Sequence, residues 1–449
     1  MTLPPRVDFL RVRTRSSWLD RPLSGWWCAA GWLGATVIFI GFVRLFQGPT
    51  EADSTMSVYS TWAIAHGQWA CAYPLTRGGE SSIIAPLYPL LSGAFAALSH
   101  IGNSVPFPLQ ATMGAHCGKA VAIMDGWSAR SNAWTSTLQL GYLSWLFVMG
   151  GAVALLRAGG RGRCAWEPAA LVLLACAPAV WMPLEQFFHP QDVVAMGLML
   201  GSLACVLRGR WGWAGVLLGL ALTAQQFPWL ALAPLMVVAP TSRRFRLGGG
   251  AIVAAAIVDI PLIVVTSGRA LGPALFGSGS SPASVGGTLL WELHLQGASL
   301  VAFSRVMPIV LAMVLASWAV RRLGAGMLEP VPLISLIATA LAFRLVFEVD
   351  LWGYYFFATS VSLLVLSVIR GRVRWYLLAW LVLVALAFNP TAWGSDVFAQ
   401  DVPRWLWQVI LVPSVLAMAA DPLIAAMRAR PRSGQLAVPL DPVLASLQS

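Results

Sequence analysis

The sequence has 449 residues, of which 58% are hydrophobic and only 10% charged, with a mean hydropathy of +0.73. An ordinary soluble domain carries about 25% charged residues, so a water-soluble globular fold is excluded and an all-α polytopic membrane protein is expected. The net charge of +11 invites a nucleic-acid reading. The basic residues, however, fall in short clusters between apolar segments, which is a topology pattern and leaves no patch for nucleic acid.

Residues 1–24 carry Arg6, Arg11, Arg13, Arg15 and Arg21, a density that places the N-terminus in the cytoplasm. Gly25 to Phe46 forms the first span and ends outside. It is long and lacks a small-residue cleavage site, so it reads as a retained span and not as a cleavable signal. Residues 47–134 form the first extracytoplasmic loop. Within it Met56, Tyr59, Trp62, Ala63, His66 and Trp69 recur at spacings of three and four, the pattern of a helix lying in the membrane interface. Ile83 to Ile101 is apolar enough to span. Counting it as a span would put the cluster Arg157, Arg161 and Arg163 outside, so it is read as a second interfacial or re-entrant helix.

Further spans are expected near 135–157, 167–184, 191–208, 212–223, 228–240, 247–266, 298–320, 329–346, 352–370, 374–389 and 404–421, about twelve in all. Residues 25–422 thus make one transmembrane domain. Thr223 to Pro228 interrupts two segments too short to cross fully, which points to a broken pair inside the bundle. Asp259, just before Pro261, is expected to hydrogen-bond at a helix break. Gly277 to Gly287 reads as a flexible outer loop, and 423–449 as a cytoplasmic tail. Both termini are then cytoplasmic, in what is expected to be a bacterial plasma membrane.

The outward ends collect the chemistry. All five histidines fall there, together with the carboxylates Glu51 and Asp53 at the first membrane exit and the short turn Glu185-Gln-Phe-Phe-His189-Pro-Gln-Asp192. Wet loops hold polar residues as a matter of course, yet a carboxylate pair at a membrane exit is more specific. Of the six cysteines only Cys71 and Cys117 lie in the outer loop, where oxidation is allowed, and a disulfide between them is expected.

An acidic exit loop, then Tyr59, Ala65-His66-Gly67-Gln68-Trp69, Tyr73-Pro74 and a Pro-Leu-Tyr-Pro-Leu-Leu helix entry, resembles the GT-C superfamily of polytopic glycosyltransferases that use polyprenyl-phosphate sugars. His189-Pro190-Gln191-Asp192 is similar to the HPxD turn of actinobacterial members related to glycosyltransferase family 87. Arg210 to Trp229 is similar to their Gly-Leu-Ala-x-x-Thr-Lys stretch, with Gln225 or Gln226 standing where a lysine is common.

The resemblance covers roughly residues 25 to 390. It implies a GT-C-like bundle that moves a hexose, mannose first, from a polyprenyl-phosphate donor to a lipid or cell-envelope glycan on the extracytoplasmic face, with inversion. It needs no cofactor beyond the lipid-linked donor and surrounding membrane lipids. Such an enzyme places a carboxylate at the outer end of its first span as general base; Asp53 fits best and Glu51 second. The donor phosphate would meet Arg344, Arg305 and His189, since a guanidinium binds phosphate bidentately. Arg344 also has a structural alternative, a pair with Glu348 one turn later. Tyr59, His66, Gln191, Asp192, Glu348 and Tyr354 are the candidate acceptor or donor contacts.

No metal-ligand spacing and no Gly-rich nucleotide loop is present in the sequence, so neither a metal nor a cytoplasmic nucleotide-sugar is expected. The rival class is a secondary transporter or lipid flippase, which would show repeat symmetry and ionisable residues at mid-span. A catalytically dead envelope scaffold is a third reading.

Overall fold

A computed structural model gives the structure of the chain and describes residues 18–46, 52–73, 85–99, 139–185, 188–268, 270–271, 288, 290, 297–348, 351–388 and 404–429. Glu51, Cys117, the loop 277–287 and the tail after Arg430 lie outside these residues. Regular structure in the described part is helical, and its only strand-like pairing is an isolated bridge between Pro22 and Cys164.

The helices are α1 (Gly25–Leu45), α2 (Ala52–Ala65), α3 (Leu87–Leu98), α4 (Trp145–Ala158), α5 (Trp166–Cys176), α6 (Pro178–Glu185), α7 (Pro190–Leu207), α8 (Trp211–Ala224), α9 (Trp229–Val238), α10 (Thr241–Val265), α11 (Gly297–Leu323), α12 (Pro330–Phe347), α13 (Phe357–Ile369), α14 (Trp375–Phe388) and α15 (Arg404–Ala429). Among the described residues seven helices are long and apolar enough to cross a membrane: α1, Gln139–Ala158 with α4 inside it, α7, α10, α11, α12 and α15. The chain is a multi-pass membrane protein.

Three expectations are corrected. The segment 167–184 is not one straight span: α5 and α6 meet at a bend of 51°. Pro178 starts α6 and has no N–H to continue the ladder, and Ala177 before it is extended, with ψ 118°. Counted as one span, this pair makes an eighth, while 211–224, 229–238, 353–369 and 375–388 are shorter than a full crossing. Second, α10 runs through Pro261 without a break, and Asp259 Oδ1 makes no hydrogen bond among the described residues. Third, α2 does not show the exposed face of an interfacial helix. Every residue from Ser57 to Ile64 is buried, because α3 covers one side and the turn Trp69–Cys71 another.

Small residues set the spacing of the bundle. A Cβ on Gly151 of α4 would stand 2.1 Å from the carbonyl oxygen of Gly197 in α7. On the next face, Cβ atoms on Gly215 and Gly219 of α8 would stand 2.1 and 2.2 Å from the carbonyl oxygens of Leu247 and Ala251 in α10. Backbones can approach this closely only without side chains between them, and in lipid such packing replaces the hydrophobic drive between helices. The resulting layer runs α4, α7, α8, α10. A second set, α9, α11, α12 and α15, packs beside it, with α13 between α12 and the bent pair. The apolar stretch of α7 is 83% buried and that of α10 only 17%, so α7 is central and α10 faces lipid.

Helix ends follow local chemistry. After α7, Gly209 adopts φ +73°, and the Arg210 N–H reaches back to the Cys205 carbonyl at 2.8 Å, closing the helix with a left-handed glycine. A second apolar cluster joins α2 to the C-terminal end of α10 through Tyr59, Trp62, Tyr73 and Leu262. Burial and the nearby Asp259 carboxylate push the Tyr73 phenol above its ordinary value, so it stays protonated.

Cys71 is disulfide-bonded, while Cys28, Cys164, Cys176 and Cys205 are free; the expected partner, Cys117, lies outside the described residues. Maleimide labelling of the denatured chain is expected to add four labels without reductant and six after reduction; six labels before reduction would refute the bond. Gly219→Ala is expected to cost about 1–3 kcal/mol by overpacking, read as a lowered unfolding temperature in detergent. Gly249→Ala, whose Cβ meets nothing within 4 Å, is expected to unfold like the wild type.

Candidate functional site

The site is built at the end of the bundle where α7 and α11 begin and α12 finishes. Arg344 lies in the last turn of α12, where the helix dipole favours a cation. Glu348 follows the helix as its C-cap in extended geometry. The Arg344 Nη2 donates to Glu348 Oε1 at 3.0 Å. Arg305, in the third turn of α11, brings its Nη1 to 3.9 Å from the same oxygen. Glu348 is only 3% exposed, so two guanidiniums from two helices hold one buried carboxylate.

Aromatic rings wall this cluster. The Arg344 guanidinium lies 4.7 Å from the centre of the Tyr355 ring, in cation–π geometry. Tyr355 meets Tyr354 edge-on at 4.5 Å, and Tyr354 meets the His189 imidazole at 4.5 Å. Both tyrosines come from the short 3-10 turn Gly353–Phe356 that precedes α13. His189 is the N-cap of α7, with Pro190 at its first position.

Asp192 sits in the first turn of α7, where the helix dipole favours an anion. Its Oδ1 accepts a hydrogen bond from Gln225 Nε2, and it interacts electrostatically with His189, Arg344 and Glu348. Gln225 ends α8, and its own Oε1 accepts the Gln226 N–H at 2.9 Å. Gln408 of α15 donates to the Leu345 and Val346 carbonyls at 2.8 and 3.1 Å. It thereby satisfies two of the carbonyls that a helix end leaves without partners.

The backbone leading into the turn is strained. Phe188 has φ +50°, a left-handed conformation that costs a bulky residue about 1–3 kcal/mol. Its ring is held edge-on by Tyr88 of α3 at 6.4 Å. The His189 N–H binds the Pro183 carbonyl at 2.6 Å. The imidazole is thus fixed by a constrained turn between α6 and α7.

Two polar atoms here stand out. Arg344 Nε and Gln191 Oε1 are buried with no hydrogen-bond partner among the described residues. Leaving a buried donor or acceptor unpaired costs about 1–3 kcal/mol, and functional sites are where such atoms occur.

Of the residues singled out in the sequence, Arg344, Arg305, His189, Asp192, Glu348 and Tyr354 come together here, with Gln191 on the same helical turn. Tyr59 and His66 do not join them. Tyr59 packs in the α2 cluster, and the His66 Nδ1 lies 2.9 Å from the Trp62 carbonyl of its own helix. Asp53 stands in the first turn of α2; its side chain, like all of Glu51, lies outside the described residues. Sequence reasoning did not assign Gln225, Tyr355 or Gln408. Only Gln225 gave a signal, by its position at the break before Pro228 and, with Gln226 as the alternative, where the resemblance has a lysine. No group of three or more His, Cys, Asp or Glu side chains among the described residues is arranged to hold a metal ion.

No protein-family model and no curated protein matches the chain. Two solved membrane-protein structures are similar in shape. One is ArnT from Cupriavidus metallidurans bound to undecaprenyl phosphate, with a TM-score of 0.46 and 15% identity, over 90% of this chain and 76% of that one. The other is the archaeal oligosaccharyltransferase AglB from Archaeoglobus fulgidus, in complex with an inhibitory peptide and a dolichol-phosphate. Its TM-score is 0.38 at 12% identity, over 92% of this chain and 56% of that one.

The pair is expected to behave as a coupled unit. Arg344→Ala leaves Glu348 short of its nearer partner, and Glu348→Ala leaves Arg344 buried without its hydrogen-bonded counter-charge. Each single change is expected to cost about 3–5 kcal/mol, read by thermal unfolding in detergent. The double variant is expected to lose less than the sum of the two; additive losses would show that the two side chains are not coupled.

Proposed function

We propose that the chain is a membrane glycosyltransferase of the GT-C type, transferring a sugar from a polyprenyl-phosphate donor to a lipid or cell-envelope glycan. The observation that carries this reading is the buried Arg344–Glu348–Arg305 cluster with the Arg344 Nε left without a partner among the described residues. A phosphate ester entering beside the His189–Tyr354 wall would accept from that N–H. It would also meet the second guanidinium, that of Arg305.

The chemistry is a single displacement. The acceptor hydroxyl oxygen attacks the anomeric carbon, and the bond from that carbon to the phosphate oxygen breaks. The electron pair leaves on the polyprenyl phosphate, whose added negative charge Arg344 and Arg305 stabilise. The acceptor proton passes to a carboxylate, Asp53 by position at the first membrane exit and Glu51 as the alternative. Attack opposite the leaving group inverts the anomeric centre. The sugar is a hexose, mannose in the first instance, as the sequence resemblance implies. The reacting end of the bundle faces away from the basic clusters and is therefore extracytoplasmic, with both termini in the cytoplasm of a bacterial cell.

The test is incubation of the purified protein with a panel of polyprenyl-phosphate sugars and envelope lipids. Transfer from one donor is expected. Sugar uptake into proteoliposomes with no transfer from any donor would overturn the reading in favour of a transporter. Asp53→Asn is expected to lower turnover by about 10²- to 10⁴-fold with normal insertion, and Glu51→Gln to lower it far less. The reverse order would move the base to Glu51, and no loss in either would remove the base from this loop. Arg344→Ala is expected to raise the KM for donor together with its loss of kcat.

A further inference from the structure

A second charged recess lies at the opposite end of the bundle, in the turn between α13 and α14. There Arg370, Arg372 and Arg374 converge on one pocket, whose floor is apolar and includes Leu366 of α13 and Met418 of α15. The arginines are poorly balanced. The Asp421 Oδ2 lies 3.8 Å from Arg370 Nη1 and 3.9 Å from Arg374 Nη1, and the Asp421 side chain is 55% exposed. One solvated carboxylate thus stands near two of the three guanidiniums, and neither contact is short enough to be a hydrogen bond.

Two nearby arginines are each matched to a carboxylate. Arg157 grips Glu167 with Nε at 3.0 Å and Nη2 at 2.9 Å, and Arg161 pairs with Asp20. The recess therefore keeps a net positive charge where Arg157 and Arg161 do not. Burial and the two adjacent guanidiniums push Arg370 below its ordinary value, as expected of cations crowded against one another.

The turn is also pre-shaped. Gly371 adopts φ +71°, and a Cβ there would run into the Arg161 guanidinium. Arg161 Nε donates to the Ile369 carbonyl at 3.3 Å, and the Arg372 N–H binds the Ser367 carbonyl at 3.0 Å. Arg374 is oriented by its bond to the Tyr376 hydroxyl. Between these arginines, Val373 faces a separate apolar groove that Trp27, Gly31 and Pro168 line between α1 and α5. Trp375, next in sequence, is 77% exposed, in the manner of residues at the membrane–water boundary.

We propose that Arg370, Arg372 and Arg374 bind the phosphate of an anionic membrane phospholipid, with an acyl chain lying along the adjoining groove beside Val373 and Trp27. A cationic rim, an apolar floor and a tryptophan at the mouth match the three parts of such a lipid. The site is separate from the Arg344–Glu348 cluster and does not rest on the glycosyl-transfer reading. A free phosphate shares the headgroup chemistry, so the experiment has to separate the two.

The full-length protein in detergent is titrated with phosphatidylglycerol, phosphatidylcholine or sodium phosphate, with bound lipid read by native mass spectrometry and stability by thermal unfolding. Phosphatidylglycerol is expected to bind and stabilise, and phosphatidylcholine to do so far more weakly. Arg372→Gln/Arg374→Gln is expected to weaken phosphatidylglycerol about 30-fold, taking about one charge's worth of surface attraction per arginine. Arg372→Gln alone, at an exposed position, serves if the double variant does not fold, with about a 5-fold loss. Asp421→Asn, which removes the competing carboxylate, is expected to tighten binding. Arg208→Gln/Arg210→Gln, at the turn between α7 and α8, is expected to leave it unchanged. Wild-type affinity in the Arg372 variants, or an equal loss in the Arg208/Arg210 variant, would overturn the proposal. So would phosphatidylcholine binding as tightly as phosphatidylglycerol, or displacement of the lipid by millimolar sodium phosphate, which would make the recess a free-anion site.

Discussion

Glu348 is the point on which one end of this bundle depends. A carboxylate 3% exposed at the end of a membrane helix is costly unless positive charge stands against it. Arg344 supplies that charge from the same helix and Arg305 from α11, so α11 and α12 must end at the same depth and in one rotation. Gln408 then ties α15 to the last carbonyls of α12. The Tyr355 ring, stacked on Arg344, fixes where the chain turns back into α13. One buried charge thereby constrains four helices.

The opposite end solves the same problem differently. Glu167 is fully buried, and it accepts two bonds from Arg157, one from the Arg163 N–H at 2.9 Å and one from the Trp32 indole at 3.2 Å. Its oxygens are saturated, so this carboxylate pins α1, α4 and α5 together and has no capacity left for a ligand. Glu348 accepts one hydrogen bond among the described residues, and the guanidinium beside it has a donor to spare. That contrast between a satisfied and an under-satisfied buried acid separates a structural network from a candidate binding site.

Between these ends, the packing delivers the His189 turn to the cluster. Glycines at the α4–α7 crossing let α7 sink into the centre, and its first turn carries His189, Gln191 and Asp192 inward with it. The strained Phe188 is held in place by Tyr88, and α3 in turn packs on α2. A chain of contacts therefore runs from α2, which carries Asp53, to the imidazole at the head of α7.

The sequence by itself determined the class and the segments. Helical apolar runs have to bury their backbone polar groups internally in lipid, so composition and length alone gave most helix positions. It also identified Arg344, Arg305, Glu348, His189, Asp192 and Tyr354 as chemical candidates, because a charge within an apolar run or a polar turn at its end is rare enough to notice. It misplaced the bend at Ala177, where the effect of Pro178 on its neighbour competes with an unbroken apolar pattern. It also misjudged α2, whose spacing of aromatic residues reads as amphipathic although the helix is covered on all sides. Only the tertiary structure decided that Arg344 and Arg305, from two separate helices, meet at one oxygen of Glu348, and that Gln225, Tyr355 and Gln408 complete the wall. Side-chain convergence depends on helix rotation and depth, which are set by contacts between segments far apart in the chain, and hydropathy carries no record of them.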